Sequence, residues 1–342
     1  KYSTEWHRET IAPALVSSDC TKGAAKMAAI NIKSLTKKTS PLTQGHRMCP
    51  GCGAPTAIRQ AMMGVDYPVV VMGATGCFEV STTVYPYSAW RAPFMHIAFE
   101  CASAGLSGII AAYNVLRKKG KIDKETKFIV FGGDGGTYDI GLQSLSGALE
   151  RGHDFTYICY NNQGYMNTGA QRSGATPRNA SATTSPAGKV IPGKLQRPKN
   201  LTEIVAAHNI PDAAQTSLHN PLDLIAKVRK AVETPGPAFV NILVPCPLFW
   251  GTDASEQVNI CKLAVDTKFW PVYEIIDGKY SISYDPKDPK PVEDFLRAQG
   301  RYSHLFKKGS ERPDLIDRAQ RDIDEEWANL KKKCEITDTE NK

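Results

Sequence analysis

From residue 45 onward, apolar positions follow two periods. Short, nearly continuous apolar runs at 67–72, 127–132, 155–160 and 238–244 have the length and composition of buried strands. Between them apolar residues recur at three- and four-residue spacing. Ala57, Ile58, Ala61 and Met62 share one face of a helix predicted over 54–63. Residues 98–116, rich in Ala, Gly, Leu and Ile, predict a buried helix packed through small side chains. Further helices are predicted over 141–151, 201–208 and 222–233, with a charged helix near 315–333. Strands alternating with helices in this order predict an α/β fold, a mostly parallel sheet with helices on both faces. Ligands of such sheets lie at the carboxyl ends of the strands. The loops after Met72, Phe131, Tyr160 and Val244 therefore share one edge.

Texture also divides the chain. Residues 1–44 are Lys-, Ser- and Thr-rich with little periodicity, and read as an N-terminal extension that orders on a partner or on the rest of the chain. Residues 45–250 form the expected cofactor domain. Residues 251–342 are more charged, with a Pro-rich segment at 286–291, and read as a C-terminal extension that wraps a neighbour. The irregular stretch 164–193 is too long for an idle loop and is expected to be functional.

With 42% hydrophobic and 23% charged residues, the 342-residue chain has an ordinary globular composition. No apolar run reaches the ~18–20 residues of a membrane span. The net charge of +7 is scattered, without a basic stripe and interleaved aromatics, so no nucleic-acid partner is expected. Nine cysteines, an odd number with no apolar signal segment in the first residues, predict reduced thiols and a cytoplasmic protein.

Two constellations carry chemistry. The first is sulfur. Cys49-Pro-Gly-Cys52 suits a redox dithiol, half a zinc site or an iron–sulfur ligand pair. No clear strand precedes it, as a thioredoxin-like dithiol needs, and no second such pair completes a zinc site. Cys77 and Cys246 fall on the predicted active edge, and four thiolates suffice for a [4Fe–4S] cluster. Cys101, Cys159 and Cys261 are expected as buried small hydrophobes, and Cys20 and Cys334 as unliganded.

The second constellation is sharper. Gly132-Gly133-Asp134-Gly135-Gly136 ends one strand, and Asn161-Asn162 ends the next. On adjacent parallel strands, Asp134 and Asn162 converge on one hard cation, with the Gly164 carbonyl as a third oxygen. Mg²⁺ takes few protein oxygens and is completed by phosphates. The glycines admit a diphosphate to backbone N–H groups, which the following helix start favours. On the polar loop 164–173, Asn167 is placed to donate to a substrate carboxylate or carbonyl, and Arg172 is a candidate for an acid.

Together these strings resemble the β subunit of the 2-oxoacid:ferredoxin oxidoreductases, the pyruvate type above all. The resemblance rests on Gly45-His-Arg-Met-Cys-Pro-Gly-Cys-Gly53, Ala74-Thr-Gly-Cys77 with Glu79, Tyr85-Pro-Tyr-Ser-Ala-Trp-Arg-Ala-Pro93, the Gly132–Gly136 string with Asp139-Ile-Gly-Leu-Gln143, Tyr165-Met-Asn-Thr-Gly-Ala-Gln-Arg-Ser173, Thr183-Thr-Ser-Pro186 and Arg297-Ala-Gln-Gly-Arg301. It implies a thiamine-diphosphate-binding fold and oxidative decarboxylation of a 2-oxoacid to acyl-coenzyme A and CO2, with electrons passed to ferredoxin. It implies that Cys49, Cys52, Cys77 and Cys246 hold one [4Fe–4S] cluster. Asp134, Asn162 and the Gly164 carbonyl would hold Mg²⁺, with Thr75, Gly76, Cys77, Gly133, Gly135 and Gly136 around thiamine diphosphate and Asn167 facing substrate. The implied partners are an α subunit supplying the pyrimidine-side glutamate, since neither Glu79 nor Glu100 matches that role, together with γ and ferredoxin-like δ subunits. Two features depart from the family: the long segment before Gly45, and Pro-Leu-Phe249-Trp250 after Cys246, where a smaller Thr-Gly is expected. The second leaves other 2-oxoacids open, namely aromatic or branched-chain acids and oxalate. A cluster-free thiamine decarboxylase or synthase is the other alternative.

Overall fold

The structure is a computed structural model and describes residues 32–339. Most of the expected N-terminal extension, including Cys20, lies outside the described residues. In chain order the elements are α1 (Ile32–Leu35), α2 (Gly53–Met63), β1 (Val69–Ala74), α3 (Cys77–Thr82), β2 (Phe94–Ile97), α4 (Ala102–Lys118) and β3 (Lys127–Gly133). They continue with α5 (Leu142–Glu150), β4 (Phe155–Asn161), α6 (Leu201–Ala206), β5 (Asp212–Ser217), α7 (Pro221–Glu233) and β6 (Pro237–Leu243). The last are α8 (Pro247–Trp250), α9 (Gln257–Asp266), β7 (Val272–Ile276), β8 (Lys279–Tyr284), α10 (Val292–Arg297) and α11 (Pro313–Thr339).

Eight strands make one sheet in the order β2-β1-β3-β4-β6-β5-β7-β8. The first six are parallel, β7 pairs antiparallel with β5, and β8 pairs antiparallel with β7. The chain leaves β1 toward β2 on one side and returns to β3 on the other. A crevice opens between β1 and β3 at their carboxyl ends, where open α/β sheets bind ligands. The central strands β3, β4 and β6 are covered on both faces, which explains their unbroken apolar runs.

Local signals set the helix boundaries. Asn220 accepts from the Asp223 N–H and Pro221 follows it, so α7 begins there. Leu224, Ile225, Val228, Ala231 and Val232 then bury one face. Asn200 caps α6 in the same way. Residues Ala57, Ile58, Ala61 and Met62 of α2 are buried as their spacing predicts. One apolar core packs α2, α7, α9 and α10 on one face of the sheet, and the other packs α4, α5 and α6 with Trp327 and Leu330 of α11.

Four strands have weak sequence signals. β5 reads Asp-Ala-Ala-Gln-Thr-Ser, yet all six residues are buried. Three of its polar side chains are bonded inside, Gln215 to the Pro271 carbonyl, Thr216 to Asp223 and Ser217 to His219, while the Asp212 carboxylate has no partner. β2 is a four-residue edge strand. β7 and β8 lie within the segment expected as a wrapping extension, and instead complete the sheet, while α9 and α10 join its core. Cys159 and Cys261 are fully buried as expected, but Cys101 is half-buried because it precedes the first turn of α4 rather than lying inside it. No helix among the described residues is long and apolar enough to cross a membrane.

Candidate functional site

β3 ends in Gly132 and Gly133 and delivers Asp134 to the crevice. Its neighbour β4 ends one residue before Asn162. Asp134 is fully buried. Its Oδ1 accepts the Asn162 backbone N–H at 3.1 Å, and its Oδ2 accepts the Ser173 hydroxyl at 2.5 Å. Burial pushes the carboxyl up to about 7, against the pull of those two donors. The end of the Asn162 amide that faces this carboxylate lies 2.8 Å from Asp134 Oδ1 and 2.9 Å from the Gly164 carbonyl oxygen, and as NH2 it donates to both. Turned over, the amide would present its oxygen beside those two, and the three would face one cation. Such an all-oxygen set from two loops fits a hard divalent ion such as Mg²⁺.

Beside this trio runs a cleft of about 510 Å³, lined by Thr75, Gly76, Cys77, Phe99, Gly133, Gly135, Gly136, Tyr160, Asn162 and residues 164–168. The glycines make room for its aromatic walls. A Cβ on Gly135 would stand 2.5 Å from the Tyr165 ring, and one on Gly76 would stand 2.9 Å from the Tyr160 hydroxyl. Gly135–Asp139 forms a single widened helical turn, held by the Thr137 hydroxyl donating to the Gly133 carbonyl at 2.6 Å. Such widened turns recur at functional sites. The cradle fits a diphosphate.

The loop 164–173 is a small hairpin closed by Tyr165 and Gln171, which exchange backbone hydrogen bonds at 2.9 and 3.2 Å. Asp139 anchors it, accepting from the Tyr165 hydroxyl at 3.1 Å, the Gly174 N–H at 2.7 Å and Lys199 at 2.8 Å. Asn167 is exposed at the rim of the cleft, and Arg172 is exposed as well. Beneath them, buried Lys194 donates to the carbonyls of Ser173, Gly174 and Thr176. Burial lowers its amine to about 8. Phe249 is not in the cleft wall; it packs under Gly164, 3.3 Å from where a Cβ would lie.

Cys49, Cys52, Cys77 and Cys246 come from three loops. The first two close a turn, with Cys52 N donating to the Cys49 carbonyl at 3.0 Å, and Gly53 N joins that turn to the Pro245 carbonyl at 3.3 Å. Cys77 opens α3 at the end of the cleft, and Cys246 precedes α8. Burial raises Cys52 to about 11 and Cys77 to about 12, and raises Cys246. Charge on Cys246 and Cys49 adds to the rise at Cys52, charge on all three others adds to it at Cys77, and charge on Cys49 adds to it at Cys246. The four therefore lie in one another's field, and none of the eight described cysteines is in a disulfide. Among the described residues, no three His, Cys, Asp or Glu groups are drawn together tightly enough for a single metal ion. A zinc ion would hold four thiolates at ~2.3 Å from one point. A cluster places its own iron and sulfide between its ligands, so a wider ring of thiols fits it, and metal charge would offset the cost of ionising buried thiols.

Several site residues carried no motif of their own. Tyr160 closes the cleft beside Cys77. His96 on β2 shares a 2.7 Å hydrogen bond with Thr75 and lies 3.5 Å from Glu79. Lys194 acts from beneath, and Arg301, the last residue of the Arg297–Arg301 string, had no role assigned to it.

Comparison with known proteins follows this geometry. Residues 74–242 match the family of thiamine pyrophosphate enzymes through its C-terminal TPP-binding domain. The chain is 51% identical over 317 residues to pyruvate synthase subunit PorB of Thermotoga maritima, covering 90% of this chain and 98% of that protein. It is 40% identical over 294 residues to ketoisovalerate oxidoreductase subunit VorB of Pyrococcus abyssi, covering 85% and 93%. Among solved structures, 2-oxoglutarate:ferredoxin oxidoreductase from Magnetococcus marinus, with 2-oxoglutarate, coenzyme A and succinyl-CoA bound, superposes with a TM-score of 0.51 at 25% identity, over 62% of this chain and 70% of that one.

Proposed function

We infer the reaction from one premise: the chain belongs to the thiamine-dependent 2-oxoacid:ferredoxin oxidoreductases, as a subunit of the pyruvate synthase PorB type. Its reaction is the oxidative decarboxylation of pyruvate to acetyl-coenzyme A and CO2, with electrons leaving through a [4Fe–4S] cluster to ferredoxin. The observation that carries this reading is the pairing of two donor sets at one cleft: Asp134, the Asn162 amide and the Gly164 carbonyl on one side, and on the other Cys77 in the wall, with Cys49, Cys52 and Cys246 near enough to act on it.

Thiamine diphosphate, when bound, supplies the nucleophilic carbon and the electron sink for decarboxylation. The protein supplies position and charge. Asp134, Asn162 and the Gly164 carbonyl hold Mg²⁺, and the Gly133–Gly136 turn receives the diphosphate. Phe99, Tyr160 and Tyr165 exclude water from the cleft, which strengthens each electrostatic interaction inside it. Asn167 at the rim donates to the substrate carboxylate. Cys49, Cys52, Cys77 and Cys246 would hold the cluster, which would take up the electrons, and Cys77 itself stands in the cleft wall. Phe249 packs beneath Gly164 and does not line the cleft.

The chain works in a hetero-oligomer. An α subunit supplies the pyrimidine-side glutamate and the rest of the substrate pocket, with γ and ferredoxin-like δ subunits alongside. That Cys49, Cys52, Cys77, Cys101, Cys159, Cys246 and Cys261 form no disulfide agrees with a cytoplasmic setting. The test is a panel of 2-oxoacids, with and without coenzyme A, on the intact anoxic complex. Pyruvate should reduce ferredoxin fastest, and only with coenzyme A should turnover continue. Faster reduction with 2-oxoisovalerate would transfer the assignment to the branched-chain acids, the activity for which the VorB relative is named.

A further inference from the structure

Arg301 belongs to neither donor set, yet it touches the residues beside both. It is 4% exposed. Nη2 donates to Gln163 Oε1 at 2.6 Å and Nε donates to Gln299 Oε1 at 2.9 Å, while Nη1 is buried with no hydrogen-bond partner. The guanidinium carbon lies 4.2 Å from the centre of the Trp250 ring system and 5.3 Å from that of Phe249. Among the described residues, arginines 178, 197, 229, 297 and 312 make ion pairs, and Arg301 does not. The acidic groups that act on it are Tyr302, Cys246 and Asp134.

A buried cation without a carboxylate is costly. Here the cost has a compensation if negative charge arrives nearby. Cys246 lies at the head of the turn that carries Trp250, and the Trp250 indole donates to the Asn162 carbonyl at 2.9 Å. Gln163 sits in a left-handed conformation, φ 66°, next to Asn162. Residues 300–306 are docked on this turn by glycine against glycine: a Cβ on Gly251 would lie 2.8 Å from Gly300 Cα, and Gly300 N donates to the Gly251 carbonyl at 3.3 Å. Arg301 is therefore delivered to its place by backbone contact.

We propose that Arg301 is a positioning residue shared by the two centres: its charge is set against the cluster thiolates, and its planar fork holds the Gln163 turn that presents Asn162 to the diphosphate site. This rests on the assignment of Cys49, Cys52, Cys77 and Cys246 as cluster ligands. Removing the charge disfavours addition of an electron to the cluster. Removing the fork loosens Asn162. Lysine keeps the charge but cannot donate in two directions from one plane.

The experiment uses the intact complex under anoxic conditions. Iron and sulfide are assayed, the cluster is titrated by electron paramagnetic resonance, and thiamine diphosphate retained after desalting is measured. The spectrum lost in Cys246→Ser defines this chain's own cluster. If Cys246→Ser keeps the parental iron and spectrum, the cluster assignment itself falls, whatever Arg301 does. With the cluster identified, Arg301→Gln should make its one-electron reduction about tenfold less favourable, about 59 mV more negative. It should also shed thiamine diphosphate at least fivefold faster. Arg301→Lys should restore the potential and not the retention. Gln163→Leu should speed thiamine loss at parental potential, so these two variants decide the matter if Arg301→Gln does not assemble. A parental potential in Arg301→Gln, or a tenfold shift in Arg301→Lys or Gln163→Leu, overturns the proposal.

Discussion

The Ser173 hydroxyl donates to Asp134 Oδ2 across 2.5 Å, joining residues 39 positions apart. The bond ties the far end of the 164–173 hairpin to the carboxylate that ends β3, and so holds Asp134 Oδ1 toward Asn162. Ser173→Ala should weaken retention of thiamine diphosphate with Mg²⁺ about tenfold, the scale of one hydrogen bond to a charged group. Asp134→Ala should abolish it. Iron content should stay parental in both, and cofactor and metal analysis after gel filtration reads the two quantities separately.

Cys77→Ala should give the reverse pattern. Iron is lost and ferredoxin reduction fails, while thiamine diphosphate is retained because the oxygen trio is intact. Unchanged iron and reductase activity would remove Cys77 from the ligand set.

Gly135→Ala tests the cleft wall. The new methyl would stand 2.5 Å from the Tyr165 ring. That ring packs edge-on against Phe99 at 5.8 Å between centres, and its hydroxyl is bonded to Asp139, so it cannot yield freely. Thiamine diphosphate affinity should fall at least tenfold by calorimetric titration. Tyr165→Leu added to the same chain should recover part of it.

Asp212, at the start of β5, makes a prediction about stability. Both of its carboxylate oxygens are buried without hydrogen-bond partners. Burial, then the charge of Glu274, pushes it up to about 7, against Lys230 and Lys227. An unfolded Asp titrates near ~3.9. Between these values the folded chain binds the extra proton, so stability falls as pH rises from about 4 to about 7. Asp212→Asn should therefore melt several degrees higher than the parent at pH 8, at about 2–4 °C per kcal/mol, with the gap closing toward pH 4. A constant gap across that range would deny the titration.

The strands and helices with strong periods were legible because burial on both faces forces apolar runs and amphipathic helices keep their spacing. β3, β4, β6, α2 and α7 fall within two residues of their predicted bounds at each end. β5 was not legible, because its Gln, Thr and Ser residues are satisfied by side-chain bonds that only the tertiary fold supplies. β8 hid in a charged segment because an edge strand faces water and carries polar residues, and β7 is only a five-residue run just before it. At the site, Asp134, Asn162 and Gly164 were placed together by strand adjacency alone, and they meet. Lys194 was not singled out, and Arg301 stood only as the end of a matching string, because a buried cation has no local signature: its partners are carbonyls and amides distant in sequence.

The touching glycines at 251 and 300 set an order of events during synthesis. The turn after Cys246 takes its final shape only once the ribosome has added the segment that leans on it. The first pair of sulfurs, made about two hundred and fifty residues before that segment, must therefore wait for it before the lining around them is finished. A chain ended between residues 252 and 299 would carry all four thiols and still fail to close the ground beneath them.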